Sequence, residues 1–206
     1  MKRFVVPTLI MLLVLALGVS AEEAAKKKMS FGITGGVSMG NWYGSDADFG
    51  TGASKKTRTG FAGGVFVNFA LGSTFACQPQ ILYVQKGVKY VVIGSTMEVE
   101  IDYLELPVLF KWEPEMKGNM QPTIFAGPHL GLLLSAKAGG IDVTNQIKST
   151  DFGVTFGAGI GTKMSSGELF LDVRFDLGMS RIGENSPEVD IKNTAFLVAV
   201  GYKFGH

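Results

Sequence analysis

His129 is the side chain of this 206-residue sequence with the most chemistry open to it. A histidine set beside a serine and a carboxylate can carry the proton of an acyl transfer, the arrangement a lipid-modifying enzyme would need. The other histidine, His206, is the C-terminal residue, so His129 carries that reading alone. Its plainer reading is a hydrogen-bonded interior side chain. Cys77 is the single cysteine, which rules out an intrachain disulfide; such a thiol is more often a small buried apolar residue than a nucleophile. Asp46 and Asp48 lie together in a Gly/Ser-containing loop, but calcium wants ~6–8 oxygen ligands, so no metal site is expected. GAGIG at 157–161 looks like a piece of a nucleotide-binding loop. It sits inside a strand pattern with no helix after it, so no cofactor is expected. Lys55, Lys56 and Arg58 could touch lipopolysaccharide phosphates or form a solvated loop end.

These residues must be carried by something, and the pattern around them is one of strands. In ELFLDVRFDLGMS, residues 168–180, large apolar residues fall on every second position, with Glu168, Asp172, Arg174 and Asp176 between them. That period of two is the mark of a β-strand. Seven further segments alternate similarly, at about 30–42, 59–70, 74–90, 97–113, 121–137, 150–164 and 193–204. One face of each is rich in Leu, Val, Ile and Phe; the other is small or polar and includes His129, Ser135, Asp151 and Thr155. Val99 and Ile101 are out of phase with Leu104 and Leu106, which predicts a bulge near Asp102 or Tyr103.

Nineteen Lys and Arg against 18 Asp and Glu leave no basic field for nucleic acid. The N-terminus has Lys2 and Arg3, an unbroken apolar run from Leu9 to Leu17, and Val19-Ser20-Ala21. This reads as a signal peptide, residues 1–21, cleaved after Ala21; the run is shorter than the ~18–20 residues of a spanning helix. Residues 22–206 then form one domain. Connections after the second, fourth and sixth segments are tight or modest, whereas most others are longer and polar. Short turns at one end, loops at the other and an even strand count fit an eight-stranded antiparallel up-and-down transmembrane β-barrel. Its apolar face would meet lipid, and both termini would be periplasmic.

YLELPVLFKW at 103–112 resembles the YLE-P-L-K strand of the PorT-type outer-membrane β-barrel family. QPQILYVQKG (78–87), TIFAGPHLGLLL (123–134), DFGVTFGAGIG (151–161), LDVRFDLGMS (171–180) and the C-terminal AVGYKF follow in the family's order. The resemblance implies a barrel related in architecture to OmpA- and OmpX-like proteins, with some members tied to protein secretion. His129 stands where the family commonly has an aromatic residue.

The function expected is therefore non-enzymatic: a structural, surface-binding or secretion-supporting barrel of the cell outer membrane. A lipid-modifying enzyme using His129 and a narrow channel are the alternatives. Expected partners are outer-membrane lipids and lipopolysaccharide, the barrel-assembly machinery, and envelope or secretion proteins, with the barrel itself a monomer. Inward charges need partners in a narrow interior, so a network centred on Arg174 is expected, with Glu105 and one or both of Asp172 and Asp176. Lys86 and Lys111 belong to the same inward set. Leu106, Val108 and Phe110 should face lipid, and Trp112, Tyr202 and Phe204 should form an aromatic girdle. Val108→Arg should then cost about 2–4 kcal/mol if the site lies near mid-bilayer. Spin-label accessibility checks the facing: label at 108 should collide with a lipid-soluble quencher, and label at 107 should not.

Overall fold

The structure, a computed structural model, describes residues 29–48, 54–92, 95–184 and 189–205; the expected signal peptide and His206 lie outside them. The strands are β1 (Met29–Tyr43), β2 (Ser54–Ala70), β3 (Phe75–Val92), β4 (Ser95–Trp112), β5 (Met120–Ala138), the two-residue β6 (Ile141–Asp142), β7 (Thr150–Met164), β8 (Gly167–Arg181) and β9 (Lys192–Phe204). All pair antiparallel. β1 joins β9, and β4 joins β5, so the eight long strands close into a barrel and β6 hangs on β5 as a hairpin extension. Closure leaves none of the eight long strands with a free edge among the described residues, as a sheet in hydrocarbon requires.

Period-two alternation assigns the two surfaces. On β8, Glu168, Phe170, Asp172, Arg174 and Asp176 are buried inside, while Leu169, Leu171 and Val173 are exposed outside. β7 makes this possible. Its inward positions include Gly153, Gly157, Gly159 and Gly161. A Cβ at these positions would strike the His129 ring, the Phe125 ring, Asp172 and Glu168 respectively. The glycines of the GAGIG run are thus gaps into which neighbouring strands' side chains fit.

The expected bulge is present, but on the other strand. In β4 the odd-numbered residues from Val99 to Lys111 are all buried, with no break of phase. Asp102 pairs with Ser135 and Tyr103 with Leu133, so the extra residue is Leu134 of β5. Ser135 consequently turns outward, where its hydroxyl donates to Asp102 at 3.2 Å. What changes along β4 is the chemistry of each face. Below Tyr103 the inside holds Glu105 and Lys111, and the outside holds Leu104, Leu106 and Val108. Above it, Val99 and Ile101 point in, while Glu98, Glu100 and Asp102 point out. A strand that crosses from hydrocarbon into water must exchange its apolar face in this way. The upper inside is an apolar plug that includes Trp42, Val88, Tyr90, Val99, Ile101, Ala136, Ile182 and Ile191.

The described parts of the long loops close over this plug. The Asp190 N–H donates to Asp46 Oδ2 at 2.8 Å, Lys148 N–H to the Ile182 carbonyl at 2.8 Å, and Ile147 bridges Gly183. Ile101→Ala, in the plug, should destabilise the barrel by about 2–5 kcal/mol. Lys137→Ala, on the outer face of the same region, should stay within about 0.5 kcal/mol. Denaturant midpoints in lipid vesicles distinguish these; equal losses would place the boundary elsewhere.

Candidate functional site

The interior is filled in tiers. At the end with the short turns, Lys203 pairs with Glu168 at 2.7 Å and Lys111 with Glu113 at 3.1 Å. Around them a polar cavity of about 650 Å³ opens, lined in part by Asn68, Gln121 and Lys163. Phe66 and Phe170 meet edge to face above it, ring centroids 5.7 Å apart. Each ring fits only because a glycine, Gly32 or Gly201, lies against it. The next tier belongs to Arg174. Its guanidinium lies 3.6 Å from Asp172, donates to Gln80 Oε1 at 3.0 Å and sits 5.7 Å from the Phe125 ring. Ala62, Leu82, Val84, Ala195 and Leu197 form an apolar wall across these levels.

The upper charged tier is the most enclosed. Lys86 is fully buried; its ammonium contacts Glu105 at 2.5 Å and Asp176 at 3.9 Å. Thr155 Oγ1 donates to Asp176 Oδ1 at 2.6 Å, and His129 Nδ1 lies 2.9 Å from the same hydroxyl. The hydroxyl has one proton, and the carboxylate can only accept, so His129 must donate from Nδ1. Above, Trp42 Nε1 donates to Asn193 Oδ1 at 3.0 Å; Asn193 Nδ2 donates to the Tyr103 hydroxyl at 3.0 Å and to Asp151 Oδ2 at 3.1 Å. Trp Nε1–H is donor only, so the Asn193 amide has one orientation.

Arg174, Glu105, Asp172, Asp176, Lys111 and Lys86 all lie inside, but in three groups rather than one network: Lys111 with Glu113, Arg174 with Asp172, and Lys86 with Glu105 and Asp176. Arg174 meets Asp172; Glu105 pairs with Lys86, so the expected Arg174–Glu105 contact is replaced. The inward row of β5 and β7 places Phe125 and Gly157 beside Arg174, whereas Glu105 stands level with Gly131 and Asp151. Lys86, from β3, reaches that higher level. Leu106, Val108 and Phe110 lie on the outer wall. Trp112 is outward beside Phe75, and Phe204 packs on both Phe31 and Tyr202 near the short-turn end. Asp151, Thr155 and Asn193 were not placed in the network by sequence reasoning. Each shares the inward parity of its strand, which is the signal that could have found them.

Lys55, Lys56 and Arg58, expected at a loop end, lie on β2, with Arg58 buried, and the charged residues around them are engaged with each other. Lys55 pairs with Asp48 at 2.8 Å, and Arg58 with Glu98 at 2.9 Å and Glu100 at 3.4 Å. Asp46 Oδ2 accepts from the Asp190 backbone. Tyr90, pushed up to about 12 by burial, stays a hydroxyl and donates to the Ala47 carbonyl at 2.9 Å. Lys192 and Arg181 hold the Asp190 carboxyl below the usual carboxylate range. A depressed folded value means that this contribution is complete above the unfolded value and is lost only in acid; the clamp is fully formed at neutral pH.

The sequence pattern of the family described as "Outer membrane protein beta-barrel domain" matches residues 20–183. The outer membrane protein OprG from Pseudomonas aeruginosa has a similar structure, with a TM-score of 0.56 at 13% identity over 87% of this chain and 98% of that one. Neisserial surface protein A superposes with a TM-score of 0.56 at 11% identity, covering 87% and 99% of the two chains. At such identities the likeness is one of fold. No curated protein matches the sequence.

Lys86→Met leaves Glu105 and Asp176 buried without their cation and should cost about 3–5 kcal/mol. Glu105→Gln added to it should recover part of the loss, whereas Arg174→Leu and Glu105→Gln should be additive within about 0.5 kcal/mol. Two double-mutant cycles on denaturant midpoints check this; coupling between 174 and 105 alone would reverse the assignment.

Proposed function

We propose, starting from the fact that this chain belongs to the outer membrane protein beta-barrel domain family, that it is a non-enzymatic barrel presenting a rigid binding surface outside the cell. The outer-membrane location goes with that family and with the closed fold. The observation that carries the surface role is the reversal of faces above Tyr103. Strands β3 to β5 continue beyond the lipid-facing wall as a water-facing sheet whose outer side bears Lys89, Glu98, Glu100, Asp102 and Lys137. An apolar plug stiffens it from within. A barrel that served only as an anchor has no need of such an extension.

The filled interior argues against a channel, because eight strands leave a lumen that side chains occupy. An enzyme is disfavoured because His129 is 1% exposed and bonded to Thr155, away from either mouth. Lipids and lipopolysaccharide are the natural contacts of the outer wall, the assembly machinery its route into the membrane, and the monomer its working state. The PorT-type resemblance adds a secretion or envelope protein as the class of surface partner.

Both described ends, Met29 and Gly205, lie with the short turns, which we assign to the periplasm. In a Cys77→Ala background, Ile141→Cys should react with a membrane-impermeant maleimide on intact cells, and Met116→Cys only after lysis. The reverse pattern would invert the barrel. Bilayer recordings of the purified protein should give no discrete conductance steps, and substituting Asp102 and Lys137 together, which leaves the partners of Arg58 in place, should abolish capture of envelope proteins without loss of folding. Steady conductance or unchanged capture would sink the surface-scaffold reading.

A further inference from the structure

The buried carboxylates of the barrel are not equally provided for. Glu105 and Asp176 have Lys86, Asp172 has Arg174, and Glu168 has Lys203, each within ion-pair distance. Asp151 is as buried as these, at 2% exposure, yet among the described residues no cation stands within ion-pair reach of it. Its Oδ2 accepts one hydrogen bond from the neutral amide of Asn193; its Oδ1 is buried with no hydrogen-bond partner. The surroundings do not supply the missing charge. Facing Asp151 are Lys86 of β3, Tyr103 of β4, His129 of β5, Asp176 of β8 and, from β1, Tyr43, with Glu105 of β4 on the same row across Gly131. Asn193 of β9 is neutral. On β2, Arg58 spends one donor on the Lys86 carbonyl and two more atoms on Glu98 and Glu100. Among the described residues Lys86 is thus the one permanent cation set against three carboxylates. His129 does not correct the balance through a bond, since its Nδ1 serves Thr155 and its buried Nε2 has no partner.

An ionised carboxylate without a paired cation is costly away from water, and such a group takes up a proton instead. We propose that Asp151 is a proton-binding site, occupied at neutral pH, so that the sealed upper tier of the barrel holds a neutral carboxylic acid beneath the apolar plug. The neutral acid keeps an acceptor for Asn193 and removes one of the two excess negative charges. Gly131 and Gly178, the inward neighbours on β5 and β8, leave room for the carboxyl but offer no side-chain donor. The sign of the pH response follows. An unfolded aspartate titrates near ~3.9, so at neutral pH the folded barrel binds a proton that the unfolded chain does not. Stability therefore falls as pH rises above the unfolded value and continues to fall until the folded carboxyl itself ionises.

The test uses the full-length barrel refolded in detergent micelles. Infrared spectra at neutral pH should contain the carbonyl stretch of a protonated carboxyl, distinct from carboxylate and amide bands. Asp151→Asn, which keeps the acceptor for Asn193, should abolish that band and flatten the decline of the thermal midpoint with rising pH. Glu105→Gln should leave the band in place. A band that survives Asp151→Asn, or disappears with Glu105→Gln instead, overturns the assignment. Absence of the band from the unsubstituted protein overturns it as well, whether or not the variants fold.

Discussion

Eight strands closed on themselves leave almost no room inside, and everything else in this molecule answers to that. Closure is forced by the bilayer, where an unpaired backbone group has no water to turn to. Small diameter then forces each inward residue to be chosen against its neighbours on the adjoining strands. Large side chains from β2, β5 and β8 are admitted because β1 and β7 turn glycine toward them. Burial in this barrel is thus a property of rows across strands rather than of any one strand.

The same confinement governs the charges. In a wide, wet lumen Arg174, Lys86 and their carboxylates could each be hydrated separately. Here they must share level, reach and acceptor geometry. Lys86, with a long flexible stem and a point charge, serves two carboxylates from one position. Arg174, with a planar fork, spreads over Asp172, Gln80 and the face of Phe125. Breaking either arrangement exposes a buried charge, which matters more than the net strength of the pairs themselves.

Much of this was legible in the sequence. The strand count, the closed fold and the inward placement of Asp172, Arg174 and Asp176 follow from alternation, which reports parity directly. The partner of Glu105 was not legible, because parity says nothing of height, and height depends on the stagger between strands. The change of pattern at Val99 and Ile101 marks the level of the bulge opposite Asp102 and Tyr103 but not its strand, because β4 keeps phase there and what changes is the solvent. The true bulge, at Leu134, lies in a run of leucines, where one extra apolar residue leaves no trace in the alternation.

The plug has a consequence for biogenesis. Trp42 comes from the first strand, Tyr90 and Ile101 from the middle of the chain, and Ile182 and Ile191 from the last loop. No subset of the chain encloses it. A nascent barrel whose first and last strands had not yet met would hold an open apolar seam above the bilayer, where no acyl chain covers it. Completion of the plug and the docking of β1 on β9 thereby become one cooperative event, and a half-zipped intermediate differs from the finished barrel by an uncovered apolar seam.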